Sequence, residues 1–115
     1  MSKTAAVLCL ILWAITLAAY ADTASEIDHL LDFIQASDCV FIRNGDEHDA
    51  AAARDHIQRK YAYAKRWIET SEQFIEYTAT KSSTTGKTYS VICAGRKEPS
   101  ADWLNRELSR FRASP

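Results

Sequence analysis

Apolar residues recur at helical spacing along most of the chain beyond residue 21. The first stripe follows the i, i+3, i+4, i+7 pattern of one helix face and consists of Ile27, Leu30, Leu31 and Ile34. Thr23 and Glu26 in front of it have the spacing of a capping box, in which side chains and backbone amides exchange hydrogen bonds. The pattern therefore predicts an amphipathic helix from Thr23 to about Ala36.

A second stripe is longer and has acidic residues at its start. It consists of Ala50, Ala53, Ile57, Tyr61, Ala64 and Ile68. Asp46, Glu47 and Asp49 precede or open it, and carboxylates are favourable at the positive end of a helix dipole. We therefore place the start of a second helix among these acids and its end near Trp67.

Two further helices are predicted in the second half of the chain. Thr70 and Gln73 form another capping box ahead of the third helix, and Ser100 is a suitable cap for the fourth. Their inward-facing positions are Phe74, Ile75, Thr78 and Ala79 in the third helix and Trp103, Leu104, Leu108 and Phe111 in the fourth.

Two short segments have the composition of strands instead. Residues 39–43 and 88–93 are rich in β-branched and aromatic residues, which favour a pleated surface. The turn-forming pair Asn44-Gly45 ends the first segment. The polar sequence KSSTTGK precedes the second as a turn. The pattern therefore predicts two strands.

The first 21 residues have the layout of a secretory signal peptide. Lys3 supplies the positive charge, an apolar run extends from Ala5 to Leu17, and Ala19 and Ala21 are small residues at positions −3 and −1 of a cut. The run is shorter than the roughly 20 residues that cross a bilayer as a helix. We expect cleavage to leave residues 22–115 as a single small domain with no stable membrane span. The alternative is an uncleaved anchor.

This cleavage changes the charge and the cysteine count. Removal of Lys3 leaves 13 basic residues against 15 acidic ones, a net charge of −2, and a faintly acidic chain has no overall attraction for nucleic acid. Cys9 is also removed, which leaves Cys39 and Cys93. In an oxidising compartment such a pair predicts a disulfide, which would stabilise the domain by about 4 kcal/mol. Two buried free thiols are the alternative.

The predicted disulfide decides how the strands pair, because one cysteine starts the first strand and the other ends the second. In a parallel pair the two would lie roughly 15 Å apart, beyond the reach of a disulfide. Antiparallel pairing brings them together and sets Phe41 opposite Val91 and Arg43 opposite Tyr89. We therefore predict an α+β fold in which a two-stranded antiparallel ribbon packs against about four helices.

The sequence predicts no catalytic, cofactor or metal site. Gly86-Lys87-Thr88 ends like a phosphate-binding loop, but Lys81 stands where that loop needs its first glycine. His48 and His56 are about 12 Å apart along the predicted helix, too far to share one ion. Ser82 and Ser83 lack the surrounding glycines of a nucleophile elbow.

The second predicted helix also carries bases among aromatic residues, between Arg54 and Trp67. We interpret this stretch as a solvated helix face with long aliphatic stems rather than a nucleic-acid site, because acids dilute its charge. Tyr63 and Trp67 share another face of the helix. They either cover a neighbouring helix or form a stacking platform for sugar or peptide.

The best candidate for a binding surface lies at one end of the predicted ribbon. Antiparallel pairing places the turn after the first strand beside the loop before the second, where Arg43 can stack on Tyr89 and Asn44 can bond the loop. The alternative is that these groups only hold the two turns together. The candidate binding residues are Arg43, Asn44, His48, Ser82, Ser83, Thr85 and Tyr89.

Several segments resemble the YfeK-like family of small bacterial envelope proteins. The resemblance is carried by FIRNGDEH, ARDHIQRKY, TSEQFIEYTATKSSTTGKTY and SADWLNREL, and it covers essentially the whole chain after the signal peptide. It implies an exported bacterial protein located in the periplasm. Because the family is known only as a domain of unknown function, the resemblance implies no activity, ligand, cofactor or catalytic residue.

The leading hypothesis is therefore an exported, periplasmic or extracellular, non-enzymatic interaction domain. Its partner would be an envelope protein, a peptide or a glycan. The alternative is an inhibitor of a cell-wall hydrolase that inserts the Ser82–Gly86 loop into the enzyme's cleft. A third hypothesis, a small hydrolase that uses His48, needs a serine or carboxylate within hydrogen-bond reach of that imidazole.

Overall fold

The structure is a computed structural model that describes residues 22–114. The signal peptide predicted for residues 1–21 lies outside the described residues. In chain order the elements are α1 (Asp22–Ala36), β1 (Val40–Arg43), β2 (Asp46–His48), α2 (Ala50–Ala64), a 3-10 turn (Lys65–Trp67), α3 (Ser71–Ala79), β3 (Ser90–Cys93), β4 (Arg96–Pro99) and α4 (Ser100–Ala113).

The helix ends agree with the sequence patterns in part. Thr70 and Gln73 form the predicted capping box at α3. The start of α2 is capped by Asp49, whose carboxylate accepts a hydrogen bond of 2.8 Å from the amide of Ala52. The capping box at Thr23 was wrong, because α1 already includes Asp22 and Thr23.

The α+β class is confirmed, but the two-stranded ribbon was wrong. The described strands form one four-stranded antiparallel sheet in the order β2-β1-β3-β4. The additional strands are the polar segments Asp46–His48 and Arg96–Pro99. Such edge strands carry no alternating apolar signal, and the acids of β2 were assigned instead to a helix start.

Two tight turns create these edge strands. Asn44 and Gly45 have φ angles of 53° and 82°, and Ala94 and Gly95 have φ angles of 50° and 77°. Positive φ at both central residues is the geometry of a type I′ turn, whose twist matches the twist of a two-stranded hairpin. Each turn therefore returns the chain alongside the strand it has just left.

The central pairing is the one predicted from the cysteines. β1 and β3 run antiparallel with Phe41 opposite Val91, and extending this register by two residues sets Arg43 opposite Tyr89. The Cys39–Cys93 disulfide closes the other end of the pair, with the two Cα atoms 4.9 Å apart.

The core lies between one face of the sheet and the helices. Phe41 and Val91 contribute from the sheet, and Phe41 packs edge-on against Trp103 of α4. The fully buried helical side chains include Leu30, Ile34, Phe74, Ile75 and Leu104. Val40, Ile42 and Ile92 alternate with the core residues along their strands and are only half-buried.

Candidate functional site

A small cavity lies between the sheet, α2 and the start of α4. The centre of a water molecule can move within a volume of about 20 Å³ in this cavity, so the cavity has room for roughly one water. The polar residues that line it are Arg43, His48, His56, Tyr89, Ser90 and Ser100, and its apolar wall includes Phe41, Ala53, Ile57 and Ala79.

Two residues that line this cavity each have a buried polar atom with no partner within the described part of the chain. These atoms are Nε2 of His48 and Oγ of Ser100, and Ser100 is only 4% exposed. Buried polar atoms in folded proteins are nearly always hydrogen-bonded, because an unpaired one loses its contacts with water and gains nothing. These two atoms therefore mark a place where a further hydrogen-bonding group fits.

Arg43 adds an unneutralised charge to the same cavity. Its guanidinium makes no ion pair among residues 22–114, not even with Asp46, its cross-strand neighbour in β2. Four other arginines in this range form ion pairs, namely Arg54, Arg106, Arg110 and Arg112, whereas Arg59, Arg66 and Arg96 form none. Because Arg43 is unpaired and no aspartate or glutamate lines the cavity, its wall is electropositive.

His56, Tyr89 and Lys60 form a hydrogen-bonded chain on one side of the cavity. Tyr89 Oη lies 3.2 Å from Nε2 of His56 and accepts from Nζ of Lys60 at 3.4 Å. Burial, followed by the positive charges of Arg43, Lys60 and Arg59, lowers the pKa of His56 to about 4. His56 is therefore neutral at pH 7, and its Nε2 and the hydroxyl of Tyr89 share one hydrogen bond, in which the tautomer of His56 decides the donor.

Neighbouring pKa values respond to the same surroundings. Burial, with a smaller contribution from Arg43, lowers the pKa of the Lys60 ammonium, and burial raises the pKa of the Tyr89 hydroxyl. The ammonium of Lys60 also donates to the carbonyl of Lys81 at 3.1 Å and lies 5.0 Å from the centre of the Tyr89 ring. Lys60 thus occupies the position over Tyr89 that the sequence suggested for Arg43.

The predicted loop contacts of Asn44 are present. Its amide donates to Oγ of Ser82 at 3.4 Å, and its carbonyl oxygen accepts from Oγ1 of Thr85 at 2.6 Å. Ser82 is buried and also accepts from the amides of Thr84 and Thr85. Asn44, Ser82 and Thr85 therefore hold the two turns together, whereas Arg43, His48 and Tyr89 line the cavity.

Ser83, the remaining predicted residue, belongs to a surface groove next to the cavity. The groove has a volume of about 370 Å³ and is lined by His56, Arg59, Lys60, Tyr63, Ala64, Tyr77 and Ser83. Tyr63 is 86% exposed and Tyr77 is 45% exposed. Because His56 lines both spaces, the groove and the cavity adjoin at this residue.

The groove separates the two aromatic residues that the sequence paired as a platform. Tyr63 lines the groove, whereas Trp67 does not. Trp67 is 53% exposed, and the guanidinium carbon of Arg66 lies 4.2 Å from its ring centre. Tyr77 of α3 is the aromatic residue that shares the groove with Tyr63.

Several cavity and groove residues were not predicted as site residues. His56 was considered only for a metal, Lys60 was assigned to a solvated helix face, and Ser100 was assigned to a helix cap. Helical spacing offered one signal, since His56, Lys60 and Tyr63 share a face of α2 at intervals of four and three residues. No sequence signal places Ser100 opposite them, because that depends on how α4 packs.

The described residues hold neither a metal cluster nor an oriented nucleophile. Among them there is no group of three or more His, Cys, Asp or Glu residues placed to hold an ion. His48 Nε2 has no serine or carboxylate partner in this range. The hydroxyl of Ser82 forms hydrogen bonds with Asn44, with the loop backbone and with Thr84.

The comparisons with known proteins give a family but no activity. Residues 21–112 match the model of the "Family of unknown function (DUF5329)". The chain is 38% identical over 80 residues to "Uncharacterized protein YfeK" of Salmonella typhimurium (strain LT2), a match that covers 65% of this chain and 67% of the relative. No solved structure matches. The chain therefore belongs to DUF5329, a family of unknown function, and is a YfeK-like protein.

Proposed function

We propose that this protein is an exported, non-enzymatic binding domain whose binding surface is the cavity together with the adjoining groove. The observation that carries the proposal is the convergence of Arg43, His48 and Ser100 on one partly open cavity, where the Arg43 charge and two buried polar atoms lack partners among the described residues. Groups held in this way gain their missing contacts when a ligand enters. A purely structural cluster would be expected to satisfy its own hydrogen bonds.

The groove supplies the rest of the surface. Tyr63 and Tyr77 expose aromatic faces, and Arg59 and Lys60 add positive charge. Aromatic rings with a polar tip are common at binding interfaces, because they bury apolar area and still hydrogen-bond. A peptide, a glycan or a segment of an envelope protein fits this chemistry.

One observation supports export. The Cys39–Cys93 disulfide is the kind of bond that persists in oxidising compartments. Within residues 22–114, no helix has the length and apolar character needed to cross a membrane.

Affinity capture from an envelope extract tests the proposed surface. The wild-type chain should recover a partner that the variant Arg43→Ala/Tyr89→Ala does not. The matched control is Arg96→Ala/Lys97→Ala, which removes exposed cations from β4, an edge strand away from the cavity. Circular dichroism and thiol counting should show that all three forms are folded and oxidised. Equal recovery of every partner by both variants would exclude this surface.

A second candidate function is inhibition of a cell-wall hydrolase by the Ser82–Gly86 loop. The observation that favours it is a preorganised loop: residues 83–88 are exposed, while Ser82 and Asn44 hold the loop from beneath. Rigid exposed loops bind clefts with little loss of conformational entropy.

A turbidity assay with peptidoglycan and a lysozyme-type hydrolase separates the two functions. An inhibitor should slow lysis at an equimolar ratio, and Ser83→Ala/Thr84→Ala should weaken it while Arg43→Ala leaves it unchanged. No slowing at a tenfold molar excess would exclude inhibition of that class of enzyme.

A further inference from the structure

We infer that the cavity lined by Arg43, His48 and Ser100 binds a carboxylate group of the ligand. The inference rests on the proposed binding function and adds the chemical class of the group that enters. Three features of the cavity support a carboxylate: the charge of its wall, the hydrogen-bonding capacity of its unpaired atoms and its size.

The charge of the wall favours an anion. The lining includes no aspartate or glutamate, and its ionisable groups are Arg43 from β1, His48 from β2, His56 from α2 and Tyr89, which precedes β3. Lys60 and Arg59 of α2 add positive potential at His56. Asp46, the acid opposite Arg43 in the strand register, is exposed and forms no ion pair with Arg43.

The unpaired atoms match a carboxylate in hydrogen-bonding capacity. The Arg43 guanidinium presents several donors in one plane, which suits the two oxygens of a carboxylate. Ser100 Oγ donates a hydroxyl hydrogen, and His48 Nε2 donates when that nitrogen carries the proton. A carboxylate accepts all of these hydrogen bonds and needs no donor of its own.

The size of the cavity favours a carboxylate over a phosphate or sulfate. A volume of about 20 Å³ for the centre of a water molecule accepts one oxygen atom at a time. A planar carboxylate can place one oxygen inside and keep the other at the opening. A tetrahedral anion with one oxygen inside would have three further oxygens to accommodate at the opening.

The groove gives the carboxylate two alternative sources. A peptide that ends in the cavity can continue past His56 towards Tyr63 and Tyr77, whereas a small organic acid occupies the cavity alone. Both present the same group to Arg43. The experiment therefore compares acetate with a short peptide acid and with its amide.

The test is a titration of the oxidised chain followed by ¹H–¹⁵N NMR, with sodium acetate, acetyl-Ala-Ala, acetyl-Ala-Ala amide and sodium phosphate as separate probes at constant ionic strength. We expect saturable shifts at the Arg43 side chain and at the amides around His48 and Ser100, with carboxylate probes only. Tighter binding of the peptide acid than of acetate identifies a peptide, and equal binding identifies a small organic acid.

Variants decide whether the cavity is responsible. Arg43→Gln should weaken carboxylate binding about tenfold or more, since it removes a charge-assisted hydrogen bond, and Ser100→Ala should weaken it less. The control Arg96→Gln should bind like the wild type. Upon binding, the ring of His56 should titrate at higher pH, because the carboxylate offsets the positive charges around it.

Three results would overturn the inference: no saturable shift with either carboxylate probe, equal binding of the amide, or tighter binding of phosphate. If envelope capture still depends on Arg43 and Tyr89 in those cases, the proposed function stands and only the ligand class is wrong. If both fail, the cavity is not a binding site.

Discussion

At the residue scale, the cavity contains polar groups that lower the stability of the free protein. Ser100 and His48 each hold a buried atom without a hydrogen bond among the described residues, as does Arg54 of α2 at its Nε, whereas the buried Ser71 and Glu26 are paired. Ser71 donates to Glu26 at 2.7 Å, and Glu26 accepts from Arg112 at 2.7 Å. The contrast points to a local stability cost at the proposed binding site, as is common for sites that must leave groups free for a ligand.

Replacing Ser100 with alanine should therefore stabilise the free protein. Removing an unpaired buried hydroxyl relieves a desolvation penalty, so we expect the free energy of unfolding to rise by about 1 kcal/mol. The matched control is Ser71→Ala, which removes a hydrogen-bonded hydroxyl from another buried serine. It should lower the free energy of unfolding by about 1–2 kcal/mol. Urea unfolding of both variants measures the difference. A lower free energy of unfolding for Ser100→Ala would contradict the absence of a hydrogen bond at the Ser100 hydroxyl.

His56 predicts a pH dependence of stability in a defined range. Its pKa falls from the ordinary histidine value of 6.5 to about 4 in the folded protein, so the unfolded chain takes up a proton first as the pH falls. This proton favours unfolding: stability is unaffected above about pH 6.5 and decreases as the pH falls towards 4. Because the ring is half-buried and partly screened by solvent, we expect a loss on the order of 1 kcal/mol.

The measurement is urea unfolding at pH 7.0 and at pH 4.5. His56→Gln cannot take up this proton and should lose less stability than the wild type between these two values. The carboxyl groups of Glu26, Glu72, Glu98 and Glu107 have lowered pKa values, so their own losses fall mainly below this window. Identical pH profiles for both forms would show that His56 titrates like an exposed histidine.

At the element scale, the described chain consists of two units of the same design. Each runs helix, β-hairpin, helix: α1-β1-β2-α2 and then α3-β3-β4-α4. Residues 91–100 repeat, position by position, the order of buried, half-buried and exposed side chains found in residues 41–50. The sheet order β2-β1-β3-β4 places the two hairpins side by side around the β1–β3 pair, with the arrangement of a pseudo-two-fold axis.

The repeat leaves little trace in the sequence because the two hairpins share shape but not chemistry. β2 is acidic, with Asp46 and Glu47, where β4 is basic, with Arg96 and Lys97. The connections also differ: three residues join α1 to β1, whereas the longer segment with the Ser82–Gly86 loop joins α3 to β3. The repeat appears only when elements are compared rather than residues.

The repeat suggests a stabilising substitution at the second turn. Ala94 has a φ of 50° at the position that Asn44 occupies in the first hairpin, and asparagine tolerates the left-handed region better than alanine does. We expect Ala94→Asn to raise the free energy of unfolding by about 0.5–1 kcal/mol. Thermal unfolding measures this rise, and an unchanged or lower midpoint would contradict the turn assignment.

The complementary substitution provides the matched control. Asn44→Ala places alanine at the same conformation and also removes the contacts with Ser82 and Thr85. It should lower the free energy of unfolding by about 1–2 kcal/mol.

At the scale of the whole molecule, one covalent bond holds the two units together at the centre of the sheet. The Cys39–Cys93 disulfide closes a sequence separation of 54 residues and ties the start of β1 in the first unit to β3 of the second. Removing it with Cys39→Ala/Cys93→Ala should lower the free energy of unfolding by about 4 kcal/mol, mainly because the unfolded chain gains freedom. Urea unfolding with and without reductant measures this loss, and the reduced wild type should behave like the double variant.

The helical layer has a second, noncovalent link between the units. Arg112 of α4 bonds Glu26 of α1 and Glu72 of α3, and His29 of α1 contacts Glu107 of α4 at 2.5 Å. Hydrogen bonding to Arg112 lowers the pKa of both Glu26 and Glu72. None of these paired charges lines the cavity.

Much of the scaffold follows from the sequence, and less of the site does. The stripe from Ile27 to Ile34 predicts α1, and the Thr70–Gln73 capping box predicts α3, because these signals are local. Arg43, His48 and Tyr89 were also among the predicted binding residues. His56, Lys60 and Ser100 were not, because their closeness to Arg43 depends on how α2 and α4 pack against the sheet.

By itself, the sequence determined the α+β class, the four helices and the direction of the central strand pair. The helices follow from the apolar periodicity, which is a local property of the sequence. The strand direction follows from the disulfide, because that bond reaches only a short distance. Only the tertiary structure decided the polar edge strands, the repeat and the electropositive cavity. The edge strands have no buried face, so their sequences show no apolar alternation. The cavity is lined by side chains of several elements, and the spacing of these residues along the chain does not predict their distance in space.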